Sequence, residues 1–372
     1  MIILFNNFQE LFPAVRCIPD SYRGMPLPSG LFTANHQFKF FYQMINIAVV
    51  MGGYSDESVI SLRSGQLILK NLDKSKYHIF EIHILLEGWN AIIVGEKFPI
   101  DKSDFTCTQN GKKISFDTII NTIHGTPGED GHMQAYWELL EIPYTGCNFY
   151  QSALTFNKRD TLSVLSKFNI PKANSVYLSK GDTISAKEIE AQLGLPFFVK
   201  PNQSGSSLGV SKVNDLSEFE KALDFAFAED NDILIESYLK GTEVSVGVLK
   251  YNGETKVLGL TEIVSQNDFF DYEAKYLGKS EEITPARLSK EVENKVRETA
   301  AKVYDALGMT GFSRTDFIVM NDVPHFIEIN TNPGLSGQSI FPQQAEYAQI
   351  AFSDLLENEI ELALKRKLLW KK

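Results

Sequence analysis

The hydrophobic and polar positions of this chain fall into short segments of two periods, about two residues and about 3.6 residues, the repeats of strands and helices. A short apolar run over 45–50 leads into the turn Gly52-Gly53. From 58 to 72, Leu62, Leu67 and Leu69 are interleaved with polar residues at helical spacing. Residues 77–86 alternate as a strand does, 117–123 predict another strand, and 133–140 predict a helix closed by Pro143 and Gly146. Strand, helix and strand in succession imply a parallel sheet. The stretch 44–146 therefore reads as a small α/β domain, and 121–131 lies just past the carboxyl end of a strand, where open α/β sheets bind ligands.

Further along, the pattern predicts helices over 158–168, up to Gly194 and over 217–227, with strands at 175–178, 197–200 and 209–213. That is a compact α+β unit, assigned to 147–238. Strands at 233–235, 243–249 and 257–261, a long helix over 289–307 and two closing strands follow, and 239–372 is read as a third unit. Residues 1–43 are Phe-rich and aperiodic, with Pro13, Pro19, Pro26 and Pro28, and lack the basic start and unbroken apolar stretch of a signal peptide. They read as an extension outside the fold. No repeat or low-complexity tract interrupts the rest.

Composition narrows the function. The length of 372 residues suits two or three packed units with a site between them. Hydrophobic residues at 43% and charged residues at 22% are those of a globular protein, and no apolar run reaches the roughly 20 residues of a membrane helix. The formal charge of -11 argues against nucleic acid as a partner, so any bound nucleotide must be held by a few placed cations and backbone N–H groups. Cys17, Cys107 and Cys147 form neither a disulfide framework nor a thiolate metal site. A reducing, cytoplasmic setting and no membrane association are expected.

Two stretches carry chemistry. The first runs from Lys200 to Gly209 with the sequence Lys-Pro-Asn-Gln-Ser-Gly-Ser-Ser-Leu-Gly, a lysine at a strand end followed by a loop of small residues. Small residues let backbone N–H groups approach phosphate oxygens, and the lysine adds a charge. A polar hairpin loop would look the same when taken alone. The second stretch pairs Phe312-Ser-Arg-Thr-Asp-Phe317 with Phe326-Ile-Glu-Ile-Asn330 across a turn at Asn321-Asp322, which predicts a hairpin. Residues two apart share a strand face, so Arg314 goes with Asp316 and Glu328 with Asn330. If Asp316 stands opposite Glu328, two carboxylates, an amide and a guanidinium gather on one face of an otherwise apolar sheet. A structural Arg314–Asp316 salt bridge leaves Glu328 and Asn330 unexplained, whereas oxygen ligands around Mg²⁺ and nucleotide phosphates account for all of them.

With Gly52-Gly-Tyr-Ser-Asp-Glu-Ser58, His124-Gly-Thr-Pro-Gly-Glu-Asp-Gly131, Tyr272-Glu-Ala-Lys-Tyr276 and Glu328-Ile-Asn-Thr-Asn-Pro-Gly334 added in order, the chain from Met44 to about Lys367 resembles the D-alanine:D-alanine ligases. The resemblance implies an ATP-grasp fold, α/β and α+β, preceded by a small Rossmann-like parallel α/β domain. It also implies ATP-dependent joining of two D-alanines through a D-alanyl phosphate for peptidoglycan precursor synthesis, in a homodimer. By the same resemblance Lys158, Lys200 and Lys275 contact ATP phosphates under the loop Ser204, Ser206 and Ser207. Glu236 and Glu243 hold adenine and ribose. Asp316, Glu328 and Asn330 bind two Mg²⁺ (or Mn²⁺) ions, and Arg314 stabilises the anionic transition state. Glu57 receives the first substrate's ammonium within a triad completed by Ser206 and Tyr276, His124 lies near that substrate's carboxylate, and Gly334 and Ser339 hold the second substrate. Ser237, where many relatives carry Lys, and Gln338, where His or Ala is more usual, depart from the pattern.

Alone, Glu57 could be a helix-start acid favoured by the macrodipole and His124 a turn histidine. A D-alanine:D-lactate enzyme would share the nucleotide site and differ at the second-substrate pocket, with Tyr276 as the discriminating residue. A dinucleotide-binding oxidoreductase is the weakest alternative, because Gly52-Gly53-Tyr-Ser lacks GxGxxG and no ribose-binding acid follows at the right distance. Because 1–43 shows no periodic pattern, deletion to Met44 is expected to leave activity and soluble yield unchanged; a large fall in either would show that the segment packs on the fold.

Overall fold

Strand β1 (Ile45–Gly52) is apolar at nearly every position because both its faces are covered. Ile47, Val49 and Met51 point into one core, and Ala48 and Val50 point into a second core with Phe105, Trp137 and Tyr144. The computed structural model describes residues 44–265, 280–337 and 339–367. The segment 1–43, Lys275, Tyr276 and Gln338 lie outside the described residues.

The N-terminal sheet also contains β2 (Tyr77–Leu85), β3 (Gly88–Ile93), β4 (Glu96–Asp101), β5 (Thr106–Gln109), β6 (Lys112–Ile114) and β7 (Thr118–Asn121), in the order β6-β5-β4-β3-β2-β1-β7. β1 is parallel to β2 and β7, as the alternation of elements predicts. The parallel arrangement stops there: β2 to β6 run antiparallel to one another, so the sheet is mixed. These added strands are short, and β4 carries Pro99 and three charged residues, which erases a clean period of two. Between β1 and helix α1 (Ser58–Asn71), Gly52 and Gly53 have φ of +108° and +116°. A Cβ on Gly52 would stand 2.6 Å from the carbonyl oxygen of Ile84, so this turn admits only glycine. Helix α2 (His132–Leu139) buries Trp137 and follows the loop after β7.

Helices α3 (Phe149–Phe156) and α4 (Lys158–Ser166), each capped by an asparagine, cross to the second unit. Its sheet is antiparallel, β10-β9-β11-β8, formed by β8 (Ser175–Ser179), β9 (Phe197–Pro201), β10 (Ser211–Val213) and β11 (Asp232–Ser237). Helices α5 (Ala186–Leu193) and α6 (Phe219–Phe227) lie on the face of Phe197, Val199, Ile233 and Ile235. Alternation sends Lys200, Leu234 and Glu236 to the opposite face. There Leu234 joins the core of the third sheet.

That sheet is also antiparallel, β14-β13-β12-β15-β16, from β12 (Thr242–Tyr251), β13 (Glu254–Ser265), β14 (Ser280–Ile283), β15 (Ser313–Met320) and β16 (Val323–Asn330). Helix α7 (Lys290–Ala306) buries Val292, Val296, Ala300 and Val303 against Val244, Val246 and Val248. Two further helices, unread from the sequence, close the fold: α8 (Ile340–Tyr347) and α9 (Phe352–Leu364). Leu355, Leu356 and Ile360 of α9 pack in the core that holds Ile47 and Val49 of β1, so the chain's last helix completes the first unit. No helix among the described residues is long and apolar enough to cross a membrane.

Candidate active site

The three sheets meet around a cleft of about 280 Å³ whose wall is made by the residues singled out in the sequence. Glu57, His124, Lys158, Ser204 and Ser206 line it from one side. Arg314, Glu328, Asn330, Gly334 and Ser339 line it from the other.

The β15–β16 hairpin has the register the motif requires. Asp316 pairs with Glu328 and Arg314 with Asn330, and Asn321 and Asp322 both take positive φ in the two-residue turn. A bulge just past Asp316 sets Phe317 opposite Phe326. Asp316, almost fully buried, accepts from the Ser245 hydroxyl at 2.6 Å and from Arg314 at 3.0 and 3.2 Å. The Arg314–Asp316 salt bridge is therefore present, as one member of a larger set. Glu328 lies 3.6 Å from the Lys158 ammonium, which also donates to the Ser204 carbonyl at 2.8 Å. Among the described residues the Asn330 Nδ2 is buried with no protein partner. The two carboxylates and the Asn330 amide oxygen are hard oxygen donors of the kind that fit a divalent cation with phosphate oxygens completing its shell, and the Asn330 Nδ2 is a donor suited to an acceptor such as a phosphate oxygen.

Glu57, also on the cleft wall, occupies the N-cap of α1, but its side chain makes no cap hydrogen bond. Its carboxylate instead accepts from the Ser206 hydroxyl. The chain closes on this carboxylate from both sides: a Cβ on Gly205 would stand 2.9 Å from Glu57 Oε2, and one on Gly125 3.3 Å away. Ser206 and Ser207 both hold positive φ, a conformation that costs free energy for residues other than glycine and is found at functional loops. His124 is buried, with Nε2 lacking a protein partner among the described residues. Burial pushes its imidazole below the ordinary value, opposed by the Glu57 carboxylate. Ser339, the N-cap of α8, bonds the Ser336 hydroxyl at 2.7 Å beside Gly334.

Lys200 and Glu236 form a buried ion pair on the face of the second sheet opposite its helices. Neither lines the cleft, nor do Ser207, Glu243 and Asp316. Ser237 accepts from the Asn174 N–H at 3.1 Å at the end of β11.

Glu129, Arg63 and Glu282 also line the cleft and were not foreseen. For Arg63 a signal existed, since it lies six residues after Glu57 on the face of α1 that also carries Ile60. Glu129 sits inside the 124–131 motif and accepts from the backbone N–H of Gly125 at 3.0 Å and of Asn332 at 3.3 Å. Burial, reinforced by the Glu57 charge, pushes its carboxyl up to about 7.

A carboxyl raised in the folded state stabilises the fold fully below its unfolded value, near 4.5, and loses that contribution as pH rises through about 7. The effect is at most about 3 kcal/mol. Urea unfolding of wild type and Glu129→Gln at pH 5, 6, 7 and 8 is expected to show the variant gaining stability relative to wild type as pH rises. A constant difference would refute the raised carboxyl.

Comparison with known proteins places this geometry in a family. Residues 46–147 match the model of the D-ala D-ala ligase N-terminus, and 164–361 match that of the D-ala D-ala ligase C-terminus. The chain is 75% identical over 328 residues to the D-alanine–D-alanine ligase of Flavobacterium psychrophilum, covering 88% of this chain and 100% of that one. It is 57% identical to the enzyme of the same name from Flavobacterium johnsoniae, covering 86% and 100%. Among solved structures, the VanG D-Ala:D-Ser ligase of Enterococcus faecalis superposes with a TM-score of 0.78 at 31% identity, covering 86% and 100%. The D-alanine–D-alanine ligase of Bacillus anthracis complexed with ATP superposes with a TM-score of 0.70 at 30% identity, covering 86% and 98%. The chain belongs to the D-alanine–D-alanine ligase family.

Proposed function

We propose that this protein joins two D-alanine molecules to D-alanyl-D-alanine at the expense of ATP, supplying a peptidoglycan precursor. The observation that supports this most directly is a single cleft lined both by the hydrogen-bonded Glu57 and Ser206 and by Glu328 and Asn330, with Asp316 paired to Glu328 just behind that wall. The first set suits an amino acid's ammonium, the second a metal-bound phosphate.

A carboxylate does not condense with an amine at neutral pH, because its oxygen is a poor leaving group. Phosphorylation of the first D-alanine to an acyl phosphate supplies a good one, and attack by the second amine then releases phosphate. In this reading Glu57 accepts the first substrate's ammonium and is oriented by Ser206. His124, driven toward its neutral form, faces that substrate's carboxylate, and Gly334 and Ser339 position the second D-alanine. Lys158 holds ATP phosphates, with Ser204 and Ser206 closing over them; Lys200, Ser207, Glu236 and Glu243, which lie outside the cleft, take their phosphate and nucleoside roles where the nucleotide extends beyond it toward the helix-free face of the second sheet. Following the family resemblance, Lys275 reaches the γ-phosphate and Tyr276 completes the triad with Glu57 and Ser206, and exclusion of water matters because water would hydrolyse the acyl phosphate. Asp316, Glu328 and Asn330 would hold Mg²⁺ or Mn²⁺, which when bound neutralises phosphate charge. Arg314, paired with Asp316, stands ready to stabilise the transferring phosphoryl group. We assign the protein to the cytoplasm as a homodimer, with unit boundaries near 146 and 238.

Phosphate release from ATP is expected with D-alanine, and not with L-alanine or with D-lactate alone. Release driven equally by L-alanine would overturn the substrate assignment. Glu328→Gln is expected to keep the fold, as judged by unchanged circular dichroism, while reducing kcat by about a thousandfold or more, as expected where several kcal/mol of metal-borne stabilisation are lost. Near-normal kcat at saturating Mg²⁺ would remove Glu328 from the metal set.

A further inference from the structure

Next to the reaction cleft lies a second, small cavity of about 20 Å³, and the two share the loop residues Thr331 and Asn332. Its other lining comes from distant parts of the chain: Gln134 of α2, Ser152 of α3 and Glu359 of α9. Each of these side chains is at least 97% buried. Each also has a polar atom with no protein hydrogen-bond partner among the described residues: Gln134 Oε1, Ser152 Oγ and Glu359 Oε1. Buried polar groups are rarely left unpaired, and three on residues that line one small space call for a shared partner.

The rest of each side chain is engaged, which fixes its placement. The Gln134 amide donates to the Gly128 carbonyl at 2.6 Å, so its oxygen is the end left over. The Glu359 carboxyl takes a bond from the backbone of Gly146, whose carbonyl accepts from the Thr310 hydroxyl at 3.0 Å and from Arg366. We propose that this cavity is a binding site for one ordered water molecule, held by Gln134, Ser152 and Glu359, which braces the 331–335 loop.

The chemistry selects water over a cation. The volume is that of a single water, and a water with two donors and two acceptors meets an amide oxygen, a hydroxyl and a carboxyl together. Burial pushes the Glu359 carboxyl up to about 8, so at neutral pH it is mostly uncharged and offers no counter-charge to a cation. An uncharged carboxyl donates to the water, and the water donates to Gln134 Oε1. The bridge ties together α2 of the first unit, the α3 crossing and the last helix. The loop it supports continues directly from Asn330 to Gly334.

The test has two arms. The first needs no assumption about substrate: a crystal structure of the full chain that resolves solvent is expected to show one peak about 2.6–3.2 Å from all three atoms. A dry cavity, or an anomalous peak there after a rubidium soak, would overturn the proposal. The second arm rests on the ligase reading and compares kcat and KM for D-alanine. Glu359→Gln keeps a neutral polar end and is expected to stay within about twofold of wild type, whereas Ser152→Ala, losing one bond, should raise the D-alanine KM about fivefold with little change in kcat. Glu359→Leu, which abolishes the site, should raise KM further. Wild-type KM in both Ser152→Ala and Glu359→Leu would overturn the bracing role; should Glu359→Leu not fold, the Ser152→Ala and Glu359→Gln pair still decides.

Discussion

Two carboxylates held opposite each other on paired, largely buried strands are the constraint on which the rest of this molecule depends. Side by side in low-dielectric surroundings, Asp316 and Glu328 would repel each other and oppose formation of the β15–β16 hairpin unless positive charge lay nearby. Arg314 serves Asp316 from its own strand. For Glu328 the cation comes from Lys158 on α4, before the second sheet. That lysine also holds the Ser204 carbonyl, so the phosphate-loop candidate and the acid hairpin are tied through one ammonium group. Compensation across elements ties the second unit to the third, and the same carboxylates are donors that a metal with nucleotide phosphates can use.

A second link runs the other way, from the second unit to the first. The Ser206 hydroxyl meets the Glu57 carboxylate at the start of α1, and the positive φ of Ser206 and Ser207 turns the loop toward it. Glu57 is thereby drawn away from the capping role that its position would favour, and Glu129 is held nearby, beneath the 332 backbone. Burying acids close together raises the carboxyl of Glu129, which is the kind of shift that accumulates at functional sites.

These links act on a scaffold that is itself shared. α9 fills the core under β1, and Gly146, where the first unit ends, is held by Thr310, Glu359 and Arg366 from the third. The first unit is thus completed by residues more than 160 positions away. Glu57 of the first unit and the Asp316–Glu328 pair of the third sheet are held in register by packing rather than by the linker between them.

The sequence by itself determined the elements whose signals are local. The apolar run of β1, the glycine pair that alone tolerates the turn after it, the amphipathic stripe of α7 and the Asn321-Asp322 hairpin with Asp316 facing Glu328 all follow from side-chain period and backbone sterics. The ordered motifs carried the family in the same way, because each is a short contiguous run. What only tertiary structure decided is what depends on partners far along the chain. The β3–β6 meander hides its period behind Pro99 and charged positions. α9 is recognisable as part of the first unit only once β1 lies beneath it. Glu129 and Arg63 become cleft residues through the closing of the loops at 125, 205 and 332, and Lys200 and Glu236 pair with each other across a sheet rather than facing the cleft. Charge compensation and burial are sums over neighbours in space, and a linear sequence does not contain that sum until the chain has folded.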